Sequence, residues 1–134
     1  MTAMTLKPAS LAVDGPTALI GPGALLHRVR MAAAAVWRLA PGRYFAIPDG
    51  DEVVVLPLGR LTRIGRRAAA DIVIDDATVS RRHALVLERD GGPVIADDRS
   101  LNGVYVNGRR VREAALHHGD EVQIGGRVMR YLEV

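Results

Sequence analysis

From Arg43 onward, turn-forming residues recur at such short intervals that the runs between them fit β-strands and little else. Asn107-Gly108 is the sharpest of these signals. It lies between the β-type runs Val104–Val106 and Arg109–Val111, and a tight type I′ hairpin needs two residues that tolerate positive φ. Asp49-Gly50 separates Arg43–Pro48 from Glu52–Leu56, and Asp90-Gly91-Gly92-Pro93 separates Ala84–Arg89 from Val94–Asp97. Arg60–Arg66, the alternating Ile72–Ile74, and the pair Glu121–Ile124 and Val128–Val134 across Gly125-Gly126 complete the set. About nine or ten short strands at this spacing predict an all-β sandwich.

Upstream the pattern differs. Asp14-Gly15-Pro16 and Gly21-Pro22-Gly23 break residues 1–23 into loops. Leu25, Val29, Ala32, Val36 and Leu39 then fall on one helical face, which predicts a helix over 24–40, ended by Pro41-Gly42. The expected organisation is therefore an extension, 1–42, followed by a domain, 43–134. The pI of 9.9 invites a nucleic-acid reading. The charge does not support one, because residues 43–134 hold 14 Arg against 14 Asp and Glu, leaving the whole net +3 in the extension. No apolar run reaches the ~20 residues of a membrane helix. The absence of cysteine fits a reducing compartment, and the first residues lack the pattern of a secretory signal, so a cytoplasmic location is expected.

Catalytic and metal constellations are missing. Ser80, His83 and the carboxylates Asp75 and Asp76 lie on one tight loop without a nucleophile elbow. His27, His83, His117 and His118 lack metal-ligand spacing, so neither a metal nor a cofactor is expected. Binding chemistry is better represented. Three segments between predicted strands carry Arg66, then Ser80 and Arg81, then Asn102. Guanidinium, hydroxyl and amide groups converging from separate loops suit a phosphorylated residue, which brings roughly −1.5 to −2 charges and three strong acceptor oxygens.

Five motifs, in order, resemble the forkhead-associated (FHA) domain from Arg43 to Val134. They are Gly65-Arg66; Asp71-Ile72-Val73-Ile74-Asp75; Val79-Ser80-Arg81-Arg82-His83-Ala84; Ser100-Leu101-Asn102-Gly103-Val104-Tyr105-Val106-Asn107-Gly108; and the closing segment from Leu116 to Gly125 that contains Gly119-Asp120. The resemblance implies an all-β sandwich of about eleven short strands (the SMAD/FHA-like fold), here with a short N-terminal helix outside it. It also implies phosphothreonine-peptide binding by the loops at one end. Arg66 resembles the arginine that contacts phosphate or orders the peptide, Ser80 the serine whose hydroxyl meets a phosphate oxygen, and Arg81 a second phosphate or peptide contact. Asn102 resembles the asparagine that binds the peptide main chain. Gly65, His83 and Gly103 resemble structural supports of the site: Gly65 permits a turn, and His83, a satisfied and partly buried side chain, pins the loop that presents Ser80. Leu101 and Val104 depart from the pattern, since many members carry Ser or Thr at the first position and Thr at the second.

The function expected from these residues is a phosphothreonine-binding module in Ser/Thr kinase signalling, not an enzyme. Its partner would be a phosphothreonine-containing protein, the kinase or its substrate, and no nucleic acid. The alternative is a phospho-independent scaffold built on the same fold, a reading that Leu101 keeps open because its side chain cannot donate a hydrogen bond.

Overall fold

Strands such as Leu61–Gly65, Ala84–Arg89 and Gly92–Asp97, which alternate inward and outward faces, have to be closed by a second sheet, and the chain forms both. The computed structural model describes residues 18–20, 29–32, 39–49 and 52–134. Its strands are β1 (Ala18–Ile20), β2 (Val29–Ala32), β3 (Arg43–Asp49), β4 (Glu52–Pro57), β5 (Leu61–Gly65), β6 (Ile72–Ile74), β7 (Ala84–Arg89), β8 (Gly92–Asp97), β9 (Val104–Val106), β10 (Arg109–Val111), β11 (Glu113–Ala115), β12 (Glu121–Ile124) and β13 (Arg127–Glu133). They form a six-stranded sheet in the order β1-β6-β5-β7-β8-β11 and a seven-stranded sheet in the order β10-β9-β12-β13-β3-β4-β2. Eleven of the strands lie between Arg43 and Glu133.

The core fills the space between the sheets. Ile64, Ile72, Ile74, Val86 and Ile95 of one sheet meet Phe45, Val54, Leu56, Val122, Ile124 and Tyr131 of the other. Phe45 and Tyr131 pack edge to face, with ring centroids 6.2 Å apart and planes at 78°. Tyr131 is buried but turns its hydroxyl to the Glu133 carboxylate at 3.1 Å. Burial raises its pKa and the carboxylate adds to the shift, so the phenol stays protonated. A smaller apolar cluster of Leu39, Tyr44, Val53 and Val55 lies on the other side of β3 and β4. This explains why the VVVL run of β4, Val53–Leu56, is buried on both faces.

Two expectations need correction. A continuous helix over 24–40 does not form, because residues 29–32 are β2, antiparallel to β4 with Arg30 opposite Val54. The backbone N–H and C=O groups along β4 offer ladder partners, and this pairing overrides the helical propensity of Arg30, Met31 and Ala32. The remaining positions of that expected helix lie outside the described residues, apart from Leu39 and Ala40. The second is the loop reading of residues 1–23, since Ala18–Ile20 forms β1, parallel to β6. The sequence also did not mark β11. Glu113–Ala115 has little intrinsic strand character, but the preceding hairpin carries it alongside β8, where Ala114 pairs with Ile95. The Asn107-Gly108 turn forms as expected, with φ of 52° and 82°.

Leu56 is fully buried between the sheets. Leu56→Ala is expected to lower stability by about 2–5 kcal/mol, measured as a fall in the urea midpoint with an unchanged slope.

Candidate functional site

Register decides where the site forms. Ile64 near the end of β5 pairs with Ala84 at the start of β7, and Ala84 pairs with Asp97 at the end of β8. The loops 66–71, 75–83 and 98–103 therefore leave the sheet at one end. A β-carbon on Gly65 would stand 2.0 Å from the Arg81 carbonyl oxygen, so only glycine lets the second loop lie across β5. Backbone bonds hold it there. Arg66 N–H donates to the Ser80 carbonyl at 3.0 Å, Arg67 N–H to that of Arg81 at 3.4 Å, and His83 N–H to that of Ile64 at 3.0 Å.

His83 links the second loop to the third. Its ring is fully buried, more so than the sequence suggests. Nδ1 accepts from the Ser80 N–H at 3.0 Å, and Nε2 lies 2.8 Å from the Gly103 carbonyl oxygen. The amide can only donate and the carbonyl can only accept, so the neutral tautomer with its proton on Nε2 satisfies both. The third loop is braced further by Asp97, whose carboxylate accepts from the Ser100 N–H at 2.7 Å and its hydroxyl at 3.0 Å. Gly103 holds φ at +88°, and a β-carbon there would stand 2.5 Å from Arg110 Nε. The positive φ favours glycine, whereas the Arg110 side chain could swing aside.

Thr78 was not marked by the sequence. Its carbonyl accepts from Asn102 Nδ2 at 2.8 Å, and its hydroxyl accepts from the Gly126 N–H at 2.6 Å. Its own O–H and N–H donate to the Asp76 carboxylate. These two bonds hold the Asp76 pKa below the ordinary aspartate value, with Arg127 adding a smaller pull. Thr78 thus joins the second loop, the third loop and the β12–β13 turn.

The expected site residues divide by what this network leaves unused. Arg66 is exposed and spends only Nε, on the Val79 carbonyl at 2.9 Å, so its terminal nitrogens have no partner among the described residues. Ser80 Oγ accepts from the Leu101 N–H at 2.9 Å, which leaves its O–H to donate. Asn102 faces Thr78 with its amide nitrogen, which leaves Oδ1 to accept. Leu101 contributes its backbone to Ser80, and its side chain is 82% exposed. Arg81 lies to one side, in a cavity lined also by Arg63, Arg67 and Arg82. Arg82 pairs with Asp98 through two contacts of 3.1 Å. Among the described residues, no three His, Asp or Glu side chains gather as a metal site, and no helix is long and apolar enough to cross a membrane.

The FHA domain family pattern matches residues 62–125. Over 111 residues the chain is 38% identical to the glycogen accumulation regulator GarA of Mycolicibacterium smegmatis, covering 75% of this chain and 70% of that protein. The chain belongs to the FHA domain family. This FHA chain is also 48% identical over 79 residues to the ABC transporter ATP-binding/permease protein Rv1747 of Mycobacterium tuberculosis. That match covers 53% of the chain but spans only 9% of the transporter's length. Among solved structures, EmbR of Mycobacterium tuberculosis in complex with a low-affinity phosphopeptide is similar, with a TM-score of 0.63 and 34% identity. The similarity covers 73% of this chain and 26% of EmbR.

Gly65→Ala is expected to push the 75–83 loop off β5 and to lower stability by about 1–3 kcal/mol, read from the thermal midpoint. Asp76 gives a pH signature. Its folded pKa is depressed, so its contribution is present above the unfolded value of about 3.9 and is lost as pH falls below it. Asp76→Asn is expected to start less stable at neutral pH and to lose less below pH ~4, compared by urea titrations across pH.

Proposed function

We propose that this FHA domain docks phosphothreonine peptides and has no catalytic role. The observation that carries this reading is the set of groups the loop network leaves unengaged. Arg66 offers two terminal guanidinium nitrogens, Ser80 offers its O–H, and Asn102 offers a carbonyl acceptor. The two donors suit a phosphate dianion, and the acceptor suits a peptide N–H beside it. The braced loops pre-order these groups, so little ordering entropy is lost on binding. The EmbR complex, a phosphopeptide held by a similar structure, supports the same reading.

Arg66 and Ser80 would hold the phosphate, Asn102 the peptide main chain, and Arg81 the flank. Gly65, His83 and Gly103 support them. The partner would be a Ser/Thr kinase or its substrate in the cytoplasm, with no cofactor involved. Residues 43–134 would carry the binding, and the strands at 18–20 and 29–32 complete the two sheets. Leu101 favours a second reading, a phospho-independent scaffold, since it places apolar surface where a donor would otherwise stand.

Fluorescence anisotropy with phosphothreonine, phosphoserine and unmodified peptide pools separates the two. Arg66→Ala and Ser80→Ala are each expected to weaken phosphothreonine binding by about 1.5–3 kcal/mol, roughly tenfold to over a hundredfold in Kd. Equal binding of all three pools, unchanged in both variants, would establish the scaffold reading instead.

A further inference from the structure

The outer face of the six-stranded sheet does not look like a solvated face. Leu61 on β5 pairs with Leu87 on β7, which pairs with Val94 on β8, and Leu85 pairs with Ala96 in the next outward row. Antiparallel sheets that face water on one side normally alternate to polar residues there. Leu61 is 41% exposed, and Leu85, Leu87 and Val94 are half-buried. At the loop end of this band lies a cavity of about 350 Å³. Leu61 and Leu85 form its apolar side, Arg63, Arg67, Arg81 and Arg82 form its cationic side, and Asp98, paired with Arg82, also lines it.

The arginines are not equivalent. Arg63 lies 3.7 Å from the Asp71 carboxylate, and Arg82 is bound by Asp98. Arg67 and Arg81 have no carboxylate partner among the described residues. Their positions in the chain carry the argument further. The first loop gives Arg66 to the phosphate site and its neighbour Arg67 to the cavity. The second gives Ser80 to the site and its neighbour Arg81 to the cavity. The backbone bonds Arg66 to Ser80 and Arg67 to Arg81 lock the two pairs side by side. A chain whose phosphate rests on Arg66 and Ser80 therefore continues within reach of the cavity.

We infer that this groove is a second docking surface, and that it binds an acidic segment of the same phosphoprotein, flanking the phosphothreonine and carrying an aliphatic side chain. The inference rests on the phosphate reading above. Carboxylates of the segment pair with Arg67 and Arg81, and its aliphatic side chain covers Leu61 and Leu85. Specificity would then come from sequence beyond the phosphorylated residue, through charge at one side of the groove and apolar contact at the other.

The test uses a short phosphothreonine peptide and the same peptide extended, at either end, by a tail of Asp, Glu and Leu. Tails with Ser in place of Leu, and with Lys in place of the acidic residues, are the controls. The acidic, leucine-bearing tail at one end is expected to improve Kd about tenfold, the equivalent of ~1.4 kcal/mol, and the gain should shrink with salt. Arg67→Ala and Leu61→Ser should each remove most of that gain while leaving the short peptide within about twofold. Arg109→Ala, on the β9–β10 hairpin, should leave the gain intact. A short phosphopeptide that binds while the acidic tail adds nothing, or a gain that survives Arg67→Ala and Leu61→Ser, overturns the groove alone. A short phosphopeptide that fails to bind overturns the phosphate reading, and with it a groove that serves as its flank.

Discussion

One buried imidazole sets the geometry of everything at the loop end of this sandwich. Two loops that belong to different strand connections meet on the His83 ring, one through an amide and the other through a carbonyl. Each of those backbone groups would cost about 1–3 kcal/mol if buried without a partner, so the ring fixes the loops by the penalty of leaving it as well as by the bonds it makes. Ser80 reaches its position because its own amide is held there, and its hydroxyl in turn holds Leu101. Asn102 follows, tied back to Thr78. Rigidity thus passes outward from the core side of the loops to the groups that face solvent.

This design separates holding from binding. Gly65 permits a backbone approach that no side chain would survive, and Gly103 takes a left-handed φ of +88°. Asp76 and Asp97 accept from local N–H and O–H donors and thereby stiffen the loops that carry the exposed groups. The exposed arginine and serine are left with capacity to spare. On the proposed phosphothreonine reading, such an arrangement would bind by substitution, with phosphate oxygens taking the place of water on donors already aimed. The cavity beside it, the proposed second docking surface, is built on another principle, an apolar wall with Arg67 and Arg81 along one margin, and the two share only neighbouring positions in the same loops.

Much of the fold could be read from the sequence because turn chemistry is local. β6, β7, β9, β10 and β12 have the bounds that their flanking Gly, Asn and Asp residues mark. The misread elements are those whose conformation is decided at a distance. The alanine-rich stretch around Val29–Ala32 has a helical period, but pairing with β4 settles its state. Glu113–Ala115 owes its strand to β8. The site shows the same division. Gly65, Arg66, Ser80, His83 and Asn102 stand out by motif. Thr78 joins three segments, yet a threonine in a loop carries no signal until its partners 24 and 48 residues away are known. Arg67 and Leu61 were equally silent, one in a chain already rich in arginine and the other in an ordinary alternating strand.

The two strands before Arg43 have a consequence for how molecules of this protein meet one another. A sheet margin is an unfinished ladder, and long apolar margins recruit strands from other chains. Had β4 been a margin, its Val53–Leu56 run of three valines and a leucine would have been an open apolar edge for pairing with other chains. β2 occupies that position, and β1 does the same for β6. The margins that remain are β1, β11, β10 and β2, none longer than four residues. β10 and β11 also place exposed arginine and glutamate along their borders. Strand exchange between copies is thereby discouraged, and recognition is left to the loop end, where contact depends on side chains and not on an open backbone.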